Sequence, residues 1–138
     1  MRMKSAAFVV AAGFMLATGS AIAHHSFAAE FDANKTINLK GVVTKIEWMN
    51  PHTYFYLDVT GPDGKVTSWM IEAGTPNVLL RRGFTKNSIP VGTQVVVDGF
   101  QAKYGSSKGS GRDLTLPDGR KLLIGSDGAG APDADNKK

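Results

Sequence analysis

Apolar and polar positions alternate with a period of two through most of the chain beyond Gly41, the pattern of strands that bury one face. In residues 41–49 (GVVTKIEWM), Val42, Thr44, Ile46 and Trp48 fall on one face, with Lys45 and Glu47 on the other. After Asn50-Pro51, residues 52–60 (HTYFYLDVT) set Phe55, Leu57 and Val59 inward and His52, Tyr54, Tyr56 and Asp58 outward. Gly61-Pro62-Asp63-Gly64 supplies a turn, because proline presets φ and glycine accepts a positive one. Residues 66–73 (VTSWMIEA) return as a third strand with Trp69 and Ile71 on one face. These three runs predict an antiparallel meander.

The alternation then breaks. Thr75-Pro76 has the form of an N-cap followed by proline at the first helical position, Val78, Leu79 and Leu80 form an apolar patch, and Gly83 is a stop signal. The spacing predicts one short helix of about two turns. Arg81 and Arg82 suit the negative end of its dipole, which accounts for a basic pair that otherwise invites a phosphate. Strand character resumes over residues 93–104, with Gly99 where a bulge or barrel bend belongs. The stretch 105–111 (GSSKGSG) reads as a flexible loop, and residues 113–116 and 121–124 flank Pro117-Asp118-Gly119 as a terminal hairpin. The expected class is mainly β: a small OB-like antiparallel barrel of five to six strands with one short helix between strands 3 and 4. Closing the barrel removes the exposed edges that a flat sheet would leave.

The N-terminus changes the meaning of the composition. Arg2 and Lys4 precede an apolar stretch from Ala6 to Ala17, and Ala21-Ile22-Ala23 is a small-x-small cleavage site, so residues 1–23 read as a cleaved signal peptide. The alternative, a membrane anchor, is opposed by a stretch shorter than the roughly 20 residues that span a bilayer. Cleavage removes Arg2 and Lys4 and halves the formal charge of +4. The mature chain then divides into a leader (24–35), an OB-like body (36–126) and a polar, disordered tail (127–138). The expected location is the periplasm, with no transmembrane anchor after cleavage and a monomer as the default state. With no cysteine among 138 residues, disulfides, thiolate metal sites and cysteine nucleophiles are excluded.

The segments HHSFAAEFD (24–32), GVVTKIEWMNPHTYFYLDV (41–59) and EAGTPNVLLRRG (72–83) together resemble a family of small exported bacterial proteins of unknown function. The resemblance covers nearly all of the body and implies no activity or catalytic residue.

Candidate chemistry concentrates on the three histidines, His24, His25 and His52. Cleavage after Ala23 gives His24 a free α-amine, and the amine and an imidazole nitrogen together chelate a metal. His52, or less easily His25, supplies another nitrogen. Nitrogen ligation suits Cu(II) best in the divalent affinity order, so copper is the expected cofactor if there is one. The other reading is a solvated leader, with His52 only capping a strand after the Asn-Pro turn. Docking on His52 requires the leader to fold back across that corner, and Phe27 and Phe31 are candidate anchors for it.

A second class of function is a recognition module. Tyr54, Tyr56 and Asp58 share the outward face with His52, and the second and third strands of OB-type barrels commonly carry the ligand. Aromatics there offer stacking to a glycan, a small periplasmic ligand or a protein partner. Nucleic acid is not expected, since export and the reduced positive charge leave little for the salt-dependent binding of phosphates. No enzyme is expected either. Glu47, Asp58, Glu72 and Asp98 show no convergent pair, no nucleophile elbow is present, and GSSKGSG lacks the phosphate-loop spacing. The sequence thus points to a non-enzymatic binding or accessory protein.

Overall fold

The computed structural model describes residues 27–126. The expected signal peptide, His24, His25 and the polar tail lie outside the described residues. In chain order the elements are β1 (Phe31–Glu47), β2 (Tyr54–Thr60), β3 (Val66–Glu72), helix α1 (Pro76–Arg81), β4 (Gln94–Ala102), β5 (Lys108–Thr115) and β6 (Lys121–Leu123). The sheet order is β3-β2-β1-β4-β5-β6, and an additional β3–β5 pairing closes five strands into a ring with β6 appended. The expected mainly β, OB-like barrel with a short helix between strands 3 and 4 is the observed architecture. One pairing departs from the antiparallel rule: Met70–Glu72 runs parallel to Lys108–Ser110, and this seam shuts the ring.

The core follows from the alternation in β2 and β3. Phe55 and Leu57 pair across the strands with Ile71 and Trp69, and Phe55, Leu57 and Ile71 are fully buried with Val43, Val95, Val97 and Leu114. Helix α1 contributes Leu79 to the same core. Thr75 Oγ1 accepts from the Val78 amide, Pro76 occupies the first turn, and Leu79 points into the core. Gly83, at φ 80°, ends the helix as its sequence position predicts. Arg82 donates to the carbonyls of Leu123 (3.0 Å) and Gly125 (2.6 Å), tying the helix end to the chain around β6. That contact is a more specific use of the arginine than the dipole explanation alone.

β1 corrects the expected first strand in two ways. It begins at Phe31, inside the segment read as leader, because residues 36–42 and Phe31 pair with β4 before the strand turns to β2. Its inward face is also different. Val43 opposite Leu57 is fully buried, while Val42 and Thr44 are exposed. The register slips between Val43 and Lys45, leaving Thr44 as an extra residue; beyond it Ile46 opposes Phe55 and the original phase returns. Strict alternation cannot anticipate that slip.

The Gly/Ser stretch is likewise not all loop. Lys108 to Gly111 belong to β5, and the glycines there let strands approach. A Cβ on Gly109 would lie 2.5 Å from Ile37 Cδ1, and one on Gly111 2.6 Å from Ile124 Cδ1. These glycines make room for core isoleucines where the barrel closes.

From Phe27 onward, the segment read as leader packs on the outside of the barrel. Phe100 and Ala102 have the opposite parity to inward Val95 and Val97, so they face outward, yet both are buried with Phe27 and Phe31. Phe27 stacks obliquely on Phe31 (5.5 Å) and edge-on against Phe100 (5.6 Å). Residues 27–30 are helical, and the Lys103 amide donates to the Glu30 carbonyl at 3.0 Å.

Candidate functional site

His52 stands just before β2, and the β2–β3 ladder continues past its neighbour. The Thr53 amide donates to Gly74 O (2.9 Å), and the Ala73 amide donates to Thr53 O (2.8 Å). This register puts Tyr54 opposite Glu72 and makes His52 a diagonal neighbour of Glu72 on the same outer face. His52 Nδ1 lies 3.2 Å from Glu72 Oε1, and the ring stands edge-on to Tyr54 at 6.5 Å. The Glu72 carboxylate thus faces Nδ1 of the imidazole.

Lys108 joins from across the closing seam. Its Nζ pairs with Glu30 Oε1, lies 3.8 Å from Glu72 Oε2, and sits 5.6 Å from the centroid of the Phe31 ring. A chain of contacts therefore runs from the leader to the histidine: Glu30, Lys108, Glu72, His52. Beside it lies a cleft of about 440 Å³ lined by Ala29, Glu30, Ala102, Tyr104, Ser106 and Lys108, with Tyr104 almost wholly exposed.

Burial sets the electrostatics of this edge. Glu72, whose side chain is 15% exposed, has its carboxyl pushed above the ordinary value of 4.5 by desolvation, with Glu30 adding to the rise and His52 and Lys108 opposing it. Desolvation also disfavours the Lys108 ammonium, but the Glu30 hydrogen bond and the charges of Glu30 and Glu72 outweigh it and raise its pKa. Burial and the Glu72 charge raise Tyr54. Because the folded Glu72 holds its proton more tightly than an unfolded glutamate does, its own contribution to stability is fully present below pH 4.5. That contribution is lost as pH rises through the raised folded midpoint. A carboxyl ¹³C NMR titration is expected to give Glu72 a midpoint above 4.5; a midpoint at or below that value would mean that its charged partners prevail over burial.

The second group of predicted residues is also on one face, but it is internally engaged. The Tyr56 hydroxyl donates to Glu47 Oε2 at 3.0 Å, and Lys45, itself paired with Glu47, lies 5.1 Å from the Tyr56 ring centroid. Asp58 Oδ1 accepts from Ser68 Oγ at 3.0 Å. Of the three expected nitrogen ligands, His52 is at this edge, whereas His24 and His25 lie outside the described residues. Among the described residues, no group of three or more His, Asp or Glu side chains is disposed to hold a metal. Sequence reasoning grouped Lys108 with a solvated loop and left Glu72 unpartnered. The available signal was parity, since Glu72 shares its strand face with Met70 rather than with Trp69 and Ile71.

The closed ring, with its outward histidine–carboxylate–lysine edge, defines a small OB-like barrel whose leader is fastened to its outer wall. The chain belongs to the family of unknown function DUF6152, whose model matches residues 12–112. Among solved structures it is similar to the crystal structure of the mitochondrial single-stranded DNA-binding protein Rim1 from S. cerevisiae. That likeness has 10% identity and a TM-score of 0.46, covering 60% of this chain and 93% of the other. No curated protein matches the sequence. No helix among the described residues is long and apolar enough to cross a membrane.

Proposed function

We propose that the protein is an exported, periplasmic, non-enzymatic binding or accessory protein that takes up Cu(II) through its mature N-terminus. The α-amine and imidazole of His24 form the chelate, His52 Nε2 adds a further nitrogen, and His25 is the less favourable substitute. The observation that carries this reading is the His52–Glu72 contact at 3.2 Å. A carboxylate on one ring nitrogen orients an imidazole and strengthens the other nitrogen as a metal ligand. The buried Phe27, Phe31 and Phe100 rings support it further, because they fasten the chain that directly follows His24-His25 onto the barrel. The export reading rests on the n-region, apolar stretch and Ala21-Ile22-Ala23 of the sequence.

The tyrosine face offers less to a ligand, since the Tyr56 hydroxyl and ring and the Asp58 carboxylate already have partners. Calorimetric titration of protein beginning at His24 is expected to show one Cu(II) per chain. His24→Ala, or one extra residue ahead of His24, should weaken binding by more than about a hundredfold, beyond the loss that removing an outer hydrogen-bonding partner brings. Binding of undefined stoichiometry that ignores both changes would overturn the copper reading. Perturbation of Tyr54 and Tyr56 by glycan fragments would then favour a recognition module.

A further inference from the structure

We infer that the cleft beside Lys108 is a binding site for a neutral sugar ring. This goes beyond the copper reading and does not depend on it. At about 440 Å³ the cleft falls in the range that holds one small ligand. Its walls are Ala29, Glu30, Ala102, Tyr104, Ser106 and Lys108. The groups that a pyranose needs are among them: small apolar surface, one aromatic ring, and hydrogen-bonding groups of both senses.

Tyr104 supplies the ring. It is 97% exposed, so it contributes nothing to the core. Yet the turn that carries it is held from several directions. The Lys103 amide donates to Glu30 O (3.0 Å), the Gly105 amide to Ala102 O (3.2 Å), and the Met70 amide to Ser107 O (3.0 Å). Gln101 Nε2 donates to Ser106 O at 3.1 Å, and Gly105 takes the left-handed φ of 72° that suits glycine after such a turn. The aromatic ring is thus presented from a fixed backbone, which lowers the ordering cost of binding. A ring with an apolar face, standing in water beside a cleft, is a platform for the C–H face of a sugar.

The Glu30–Lys108 pair supplies the polar half. A carboxylate only accepts hydrogen bonds and an ammonium only donates them, whereas each sugar hydroxyl does both. Neighbouring hydroxyls of one ring therefore donate to Glu30 and accept from Lys108 with the pair left intact. A charged ligand would have to displace one partner from the other. An anion would also meet the carboxylate of Glu30 and, 3.8 Å from the Lys108 ammonium, that of Glu72. These carboxylates select against a phosphate or an acidic sugar. Ser106 adds a hydroxyl to the wall, and Ala29 and Ala102 give apolar surface without filling the space.

The test is an NMR titration of the ¹⁵N-labelled protein with the methyl glycosides of glucose, galactose and N-acetylglucosamine, beside glucuronate and adenosine monophosphate. At least one neutral glycoside is expected to give saturable shifts at the amides of Tyr104, Ser106 and Lys108, with the two anions binding more weakly. Tyr104→Ala is expected to weaken that binding about tenfold or more, and Tyr104→Phe, which keeps the ring, to stay within about twofold of wild type, if stacking carries the affinity. The exposure of Tyr104 spares the fold, and an unmoved Val97 amide resonance checks this. Absence of saturable shifts at the cleft with all three glycosides overturns the inference. So does binding that ignores Tyr104→Ala, that favours either anion, or that shifts Tyr56 and Asp58 instead of the cleft.

Discussion

Gly99→Ala is expected to destabilise the barrel by about 3 kcal/mol or more, the range reserved for substitutions that break a named structural constraint. A Cβ at this position would lie 2.0 Å from the carbonyl oxygen of Ser110 and 3.1 Å from Gly111 Cα. Both obstacles are backbone, so no rotamer change relieves the clash. The β4–β5 register slips beside Gly99, pairing Asp98 with Asp113 but Gly99 with Gly111, and this slip brings the two chains into close approach. Moving β5 away would in turn disturb its parallel pairing with β3. The change should appear in chemical denaturation as a large fall of the midpoint, or as loss of soluble folded protein. A shift of less than about 1 kcal/mol would show that β4 and β5 separate locally at little cost, against their close approach at Gly99.

The other large effect is expected at Phe55. Phe55→Ala should cost about 3–5 kcal/mol, the usual range for truncating a fully buried aromatic. Phe55 is wholly inaccessible, packs edge-on against Phe84 at 5.9 Å, and sits between Ile46 and Ile71 in the ladders on either side. Phe84 in turn stacks on Trp48 at 6.3 Å, so the cavity would undermine the ring cluster beneath the loop that leads to His52. Urea denaturation with an unchanged m-value and a midpoint lowered by that amount is the expected result. A loss below about 2 kcal/mol would mean that Trp48 and Phe84 collapse into the space, because the cost depends on how well the site relaxes.

These two positions differ in how legible they were. Phe55 belongs to a strand whose alternation is unbroken, and the same is true of Leu57, Trp69 and Ile71. Period-two reasoning therefore assigned their faces correctly. The helix was legible for a different reason: Thr75, Pro76 and Gly83 are local signals that need no tertiary partner. Gly99 was marked for a bulge or bend, and the register slip lies beside it. β1 was misread where Thr44 is an extra residue, because a bulge changes parity without changing composition. The glycines of β5 read as flexibility because their use depends on Ile37, Ile71 and Ile124, side chains brought from elsewhere in the fold.

The candidate edge divides in the same way. His52, Tyr54, Tyr56 and Asp58 were legible as outward residues of one strand, and the Phe27–Phe31 spacing marked a possible anchor. Glu30, Glu72 and Lys108 were not recognisable as a unit, since their contacts cross between the leader, β3 and β5. Their charges alone look like those of any solvated residues. Parity places Glu72 outward, but only closure of the ring brings Lys108 beside it.

The parallel seam between Met70–Glu72 and Lys108–Ser110 has a thermodynamic consequence. It joins segments separated in sequence by α1 and β4, whereas the β2–β3 hairpin is closed by a short local turn. Lys108 and Glu72 thus lie on opposite banks of the barrel's long-range closure. A ligand that engages both banks binds the shut ring in preference to any opened form, so by linkage its binding free energy adds to the resistance of the barrel to opening.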